Sequence, residues 1–242
     1  MATKIKQYNR IQYMLFAVVL TCAQSVSAQI KIKNGHSNVV NGGIVKSNKV
    51  SKQSGSPEKG TQHASGLSIS SPGDISNTKS IEVTGSVNLN AGRSIKNGSP
   101  TAPANIHASS SVTLNAPTIH NSGRITAGSG NVNISTTNLV NSGSITAKSG
   151  DINISNHSGS LLLIDNTNGS ITGKTVTLKV NDSGKSKNAP LQNGSIKLHG
   201  GTISGETINI GGTETKVSVD TDEINGKVNM PGSSAVIRSK QK

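Results

Sequence analysis

The sequence predicts an all-β chain, coiled as a right-handed parallel β-helix (a β-solenoid) with rungs of about 20 residues. Three observations predict it. Two fifteen-residue stretches repeat at an offset of 20. Aliphatic residues alternate with polar ones in short phrases closed by Gly, Ser or Asn. Finally, no aromatic residue occurs after Phe16, which closes the usual route to a globular core.

Residues 121–135 read NSGRITAGSGNVNIS and residues 141–155 read NSGSITAKSGDINIS. Eleven of the fifteen aligned positions are identical. Ile125-Thr126-Ala127 and Val132-Asn133-Ile134 alternate with period two, the mark of a strand with one buried face. Gly128-Ser129-Gly130 separates them as a turn. Further corners are marked by Asn97-Gly98, Ser122-Gly123, Ser142-Gly143, Asn168-Gly169 and Asn193-Gly194.

Strands this short need copies of themselves above and below. Coiling the chain supplies them, with laps about 4.8 Å apart. Ile125 is then expected over Ile145, Val132 over Ile152 and Ile134 over Ile154. Asn121 over Asn141 is expected to start an amide ladder at a corner. The length after residue 28 allows about ten such laps, minus excursions.

Further copies lie at 169–178 (GSITGKTVTL), 201–210 (GTISGETINI) and, degraded, at 224–230. The phrases SVNLN from Ser86 and SVTLN from Ser111 extend the pattern upstream. Three polar segments, 46–66, 96–111 and 181–194, are expected as loops. The apolar run 161–164 is expected to pack across the solenoid.

Residues 1–28 have another character. Lys4, Lys6 and Arg10 precede a short apolar run over 14–20, and Val26-Ser27-Ala28 ends the segment on small residues. This is the pattern of a secretory signal peptide cleaved after Ala28. The run is shorter than the roughly 20 residues a membrane-spanning helix needs. Cys22 offers a lipoprotein alternative, but Val19-Leu20-Thr21 fits that cleavage pattern poorly.

The organisation is therefore read as signal peptide 1–28, N-terminal strand or cap and polar loop 29–66, solenoid 67–230 and basic tail 231–242. Cleavage removes the only cysteine and every aromatic residue, so disulfides cannot staple the fold. Loss of Lys4, Lys6 and Arg10 takes the net charge from +13 to +10. Such a surface attracts anionic polymers.

The units at 121–135 and 141–155, with their echoes at 169–178 and 201–210, resemble the haemagglutinin-type repeats of bacterial filamentous adhesins. The strongest likeness covers about 35 residues, and weaker copies extend over 81–230. The resemblance implies a surface or secreted adhesin built on a β-helical shaft. Those adhesins carry Asn-Pro motifs in an N-terminal secretion domain, and this chain has no Asn-Pro pair.

Candidate chemistry is sparse. Asp220-Thr221-Asp222 places two acids two residues apart on one strand, a conceivable pair for glycoside chemistry. His36, His63, His107, His120, His157 and His199 lack ligand spacing, although His107 and His120 could approach across neighbouring laps. Thr126 and Thr146 could begin a threonine ladder, the ice-binding pattern, but no regular Thr-x-Thr register continues it. No catalytic, metal-binding or cofactor-binding residue is assigned.

The expected function is that of a secreted structural or adhesive solenoid, a self-assembling surface-fibre or biofilm-matrix subunit at a bacterial cell surface. Its expected partners are further copies of itself and anionic polysaccharide or host surface glycans. Specific nucleic-acid binding is not expected, because aromatic side chains for base stacking are missing. The alternative is a carbohydrate-active β-helix enzyme, a polysaccharide lyase or hydrolase.

Overall fold

The computed structural model describes residues 30–33, 39–41, 44–46, 66–181, 194–212 and 214–239. The expected signal peptide, Cys22, His36, His63, most of the 46–66 segment and the core of the 181–194 segment lie outside them.

Among the described residues the chain is all-β and forms a β-solenoid of about eight turns with rungs of about 21 residues. Each turn lays down three short strands, so three lines of parallel strands run the length of the molecule. The first line contains Ile30–Lys33, Leu67–Ser71, Val87–Ala91, Val112–Asn115, Val132–Ser135, Ile152–Ser155 and Thr175–Lys179. The second contains Val39–Asn41, Ile75–Asn77, Ser94–Asn97, Thr118–Asn121, Asn138–Asn141, Leu161–Asp165, Gly194–His199, Thr215–Thr221 and Ser233–Ser239. The third contains Ile44–Lys46, Ser80–Val83, Asn105–Ala108, Arg124–Ala127, Ser144–Ala147 and Ser170–Thr172. First and third lines merge in the long strand Thr202–Gly211, which is followed in the stack by Glu223–Asn229.

The expected stacking is present. Ile125 pairs with Ile145, Val132 with Ile152 and Ile134 with Ile154. The degraded copy is also in place, with Ile203 over Ile224 and Ile208 over Val228. Alternation sends every second residue inward, so the interior is a column of Ile, Leu, Val and Ala sealed from solvent. Each fully buried Ile, Leu or Val contributes about 1.5–3 kcal/mol, which is how a chain without internal aromatics assembles a core.

The corner between second and third lines is also filled. Asn77, Asn97, Asn121, Asn141 and Asn166 are buried one above another. Each donates a side-chain N–H to the next carbonyl oxygen, at 2.8, 2.8, 2.7 and 2.6 Å in turn. Remaining capacity is met by backbone carbonyls, such as Gly123 and Ser144 for Asn121, both at 3.2 Å. Glycine follows at this corner for lack of room: a Cβ on Gly143 would lie 2.0 Å from the Gly123 carbonyl oxygen.

Several expectations need correction. Residues 161–164 do not cross the solenoid; Leu161–Asp165 is a regular second-line strand, with Leu162 and Ile164 inward. The loop expected over 96–111 is shorter, because Ser94–Asn97 and Asn105–Ala108 are both in register and only the Gly98–Ala104 turn departs. Gly98 starts that turn with φ of 76°. Pro100 and Pro103 sit within it, where no ladder N–H is required. At the C-terminal end Ser233–Ser239 continues the second line where a basic tail was expected, whereas Ile30–Lys33, paired with Leu67–Ser71, is a strand within the expected N-terminal strand or cap.

Candidate functional site

Among the described residues the interior is filled by aliphatic side chains, so the candidate surfaces are the outward faces of the three lines. Alternation within each strand decides which residues occupy them. In Val132–Ser135 the two aliphatics turn in, and Asn133 and Ser135 turn out. Stacked over the turns, such residues form two outward ranks per line.

On the first line, one rank runs Ser68, Asn88, Thr113, Asn133, Asn153, Thr177, Asn209, Asn229. The other runs Ser70, Asn90, Asn115, Ser135, Ser155, Lys179. Amides bond along the ranks: Asn153 to Asn133 at 3.0 Å, Asn115 to Asn90 at 2.9 Å and Asn229 to Asn209 at 3.1 Å. These ranks line an open concavity of about 850 Å³. His157 reaches back two rungs to place Nδ1 2.8 Å from the Asn115 side-chain oxygen.

The second line is charged. Its outer rank reads Lys96, His120, Val140, Asp165, His199, Asp220, Arg238. His199 Nδ1 lies 3.6 Å from an Asp220 carboxylate oxygen, and both side chains are exposed. Thr167 donates to Asp165 Oδ1 from its hydroxyl at 2.6 Å and its backbone N–H at 3.1 Å, which holds that carboxyl below the usual range. His199 above it adds to the effect. A second concavity, of about 590 Å³, is lined in part by Lys197, Lys216, Asp220, Val236 and Arg238.

His120 is pushed below the ordinary histidine range by desolvation and, secondarily, by the charge of Lys96. Its depressed folded-state value means that the unfolded chain binds more protons between that value and 6.5. Stability therefore rises with pH through this window and falls on acidification. His120→Gln should flatten that part of a curve of melting temperature against pH, and an unchanged slope would refute the assignment.

The third line presents hydroxyls. Thr126, Thr146, Thr172 and Ser204 stack in one rank, and Ser144, Ser170 and Thr202 in its neighbour. This array extends beyond the Thr126–Thr146 pair visible from the repeat, through Thr172 to Ser204.

Sequence-predicted site residues are not gathered together. Asp220 lies on the second line, but Asp222 sits beyond the end of Thr215–Thr221, at the corner. There it accepts the Gly201 N–H at 3.0 Å. The two acids therefore do not share one strand face. His107 is on the third line and His120 on the second, so neighbouring laps do not pair them. Among the described residues no group of three or more His, Cys, Asp or Glu could hold a metal ion. The Asp165–His199–Asp220 succession was not legible in sequence, because the irregular segment between the second-line strands hides its offsets of 34 and 21.

The architecture defines the chain as a parallel β-solenoid. No family profile, curated protein or solved structure matches it.

Proposed function

We propose that this chain is a secreted structural and adhesive solenoid, a shaft that stacks end to end with further copies at a bacterial surface or in its matrix and holds anionic glycans along its sides. The observation that carries this reading is the C-terminal turn. Glu223–Asn229 and Ser233–Ser239 end the two sheets with a free strand edge among the described residues. Val236 is 59% and Ile237 46% exposed, the large hydrophobics most open to solvent among the described residues.

Ile237 occupies the position held inward by Val219, Leu198 and Ile164 in the turns before it. The same position in the first turn belongs to Val39, which pairs with Ile75. A second copy placed above Ile237 in register thus continues the second line with a β-branched residue. An unpaired edge beside an apolar face recruits another strand unless something blocks it. No helix among the described residues is long and apolar enough to cross a membrane. Export rests on the signal-peptide pattern of residues 1–28.

The test is sedimentation and electron microscopy of the chain from 29 onward. Concentration-dependent filaments are expected, with Ile237→Asp shifting the material to monomer at equal melting temperature. A wild-type chain that stays monomeric at high concentration would overturn the stacking reading.

A further inference from the structure

We infer that the outward face of the first line is a binding strip for a linear anionic polysaccharide of the uronate type, lying along the solenoid axis. This deepens the adhesive reading above by naming the face and the ligand class.

Length comes first. Eight described strands carry this face from Leu67–Ser71 to Glu223–Asn229. At a spacing of about 4.8 Å they span roughly 34 Å, enough for an extended oligosaccharide. The concavity of about 850 Å³ lies within this stretch.

Hydrogen-bonding capacity comes second. Each carboxamide has two N–H donors and an oxygen with two lone pairs. The Asn153 to Asn133 bond uses one N–H and one lone pair, so the rank still presents donors and acceptors at every turn. Neutral amide and hydroxyl donors form their stronger bonds to ionised acceptors, which favours a carboxylate-bearing chain over a neutral one.

The absence of carboxylates sets the face apart. Neither outward rank of the first line holds a carboxylate from Ser68 to Asn229, and Lys179 stands among them. Asp151, one position before its strand, is turned to its own fold and accepts the Thr175 N–H at 3.0 Å. The second line carries Asp165 and Asp220, and the third carries Glu82 and Glu223. A polyuronate laid along either of those faces meets carboxylates that the first-line ranks lack, and on the second line these stand among Lys96, Lys197, Lys216 and Arg238. Nucleic acid fits the strip less well, because the chain has no aromatic residue after Phe16 on which bases could stack.

Titration calorimetry on the chain from 29 onward, with an oligogalacturonate of about ten units matched to the strip, tests this. Asn133→Asp places a carboxylate on the strip; Thr146→Asp makes an equal charge change on the third line. Asn133→Asp should weaken binding about tenfold or more, and Thr146→Asp by no more than about twofold. A single-stranded oligothymidylate of equal charge should bind about tenfold more weakly than the oligogalacturonate. Equal losses in both variants, equal affinity for the oligothymidylate, or no oligogalacturonate binding at low salt would each overturn the proposal.

Ile237→Asp separates the two readings, because that residue is at the end of the stack and not on the strip. The variant should bind the oligogalacturonate as wild type does. Filaments without glycan binding would remove the strip alone, and binding without filaments would remove the stacking alone.

Discussion

Ile145→Asp should unfold the middle of the solenoid. Ile145 is fully buried, stacked between Ile125 and Ile171. The substitution removes an aliphatic contact worth about 1.5–3 kcal/mol and puts a carboxylate where nothing can hydrogen-bond it. A loss of about 5 kcal/mol or more is expected, at the upper end for single substitutions. Because each turn touches mainly its neighbours, the damage should spread outward from the central turns. Hydrogen exchange should show lost protection first around Ile125, Ile145 and Ile171. Thr146→Asp, one residue along but facing outward, should change stability by no more than about 0.5 kcal/mol. Similar melting for the two variants would contradict the inward–outward alternation on which the fold rests.

Asn121→Ala should cost more than any loss from the exposed amide ranks. Asn121 accepts from Asn97 and donates to Asn141, Gly123 and Ser144, all at a buried corner. Its removal leaves the Asn141 side-chain oxygen and two carbonyls short of a donor. About 2–4 kcal/mol should be lost. Asn153→Ala breaks a bond of similar geometry on the outer face, where water replaces the partner, and should cost about 1 kcal/mol or less. Asn121→Asp sharpens the test. Its carboxylate cannot donate to Asn141, and burial raises its folded-state value above the unfolded carboxylate value of about 3.9. The folded variant then holds a proton that the unfolded chain has released, so its stability should fall as pH rises through that window. Acidification should restore part of the loss by returning a donor to the ladder. A pH-independent deficit between wild type and Asn121→Asp would argue that protonation does not restore the missing donor to the ladder.

The parts legible in sequence are those governed by a strict offset. Ile125, Ile145, Val132, Ile152 and the Asn121–Asn141 pair could be placed because their turns differ by 20 residues with no insertion. Leu161–Asp165 could not, because its outward Leu161 and Leu163 made a strand look like a continuous apolar run. The outward ranks were harder still. Thr146 lies over Thr172 at an offset of 26, and Thr172 over Ser204 at 32. Such offsets are set by how much chain each corner absorbs, and a corner that bulges outward leaves the stacked strand in register.

The sequence by itself determined that the core is a stack of small aliphatics, because the chain has no aromatic after Phe16 and its Ile, Val and Leu recur with period two. It also determined the buried amide at the corner, since an Asn that returns at every turn bonds to its own copy. Only the tertiary structure decided which polar residues share a face. That depends on the length of each turn, and the turns stay in register through the backbone hydrogen bonds of the sheets whatever the intervening loop holds. The carboxylate-free strip and the open final turn with Ile237 are products of that register, and both proposed functions stand on them.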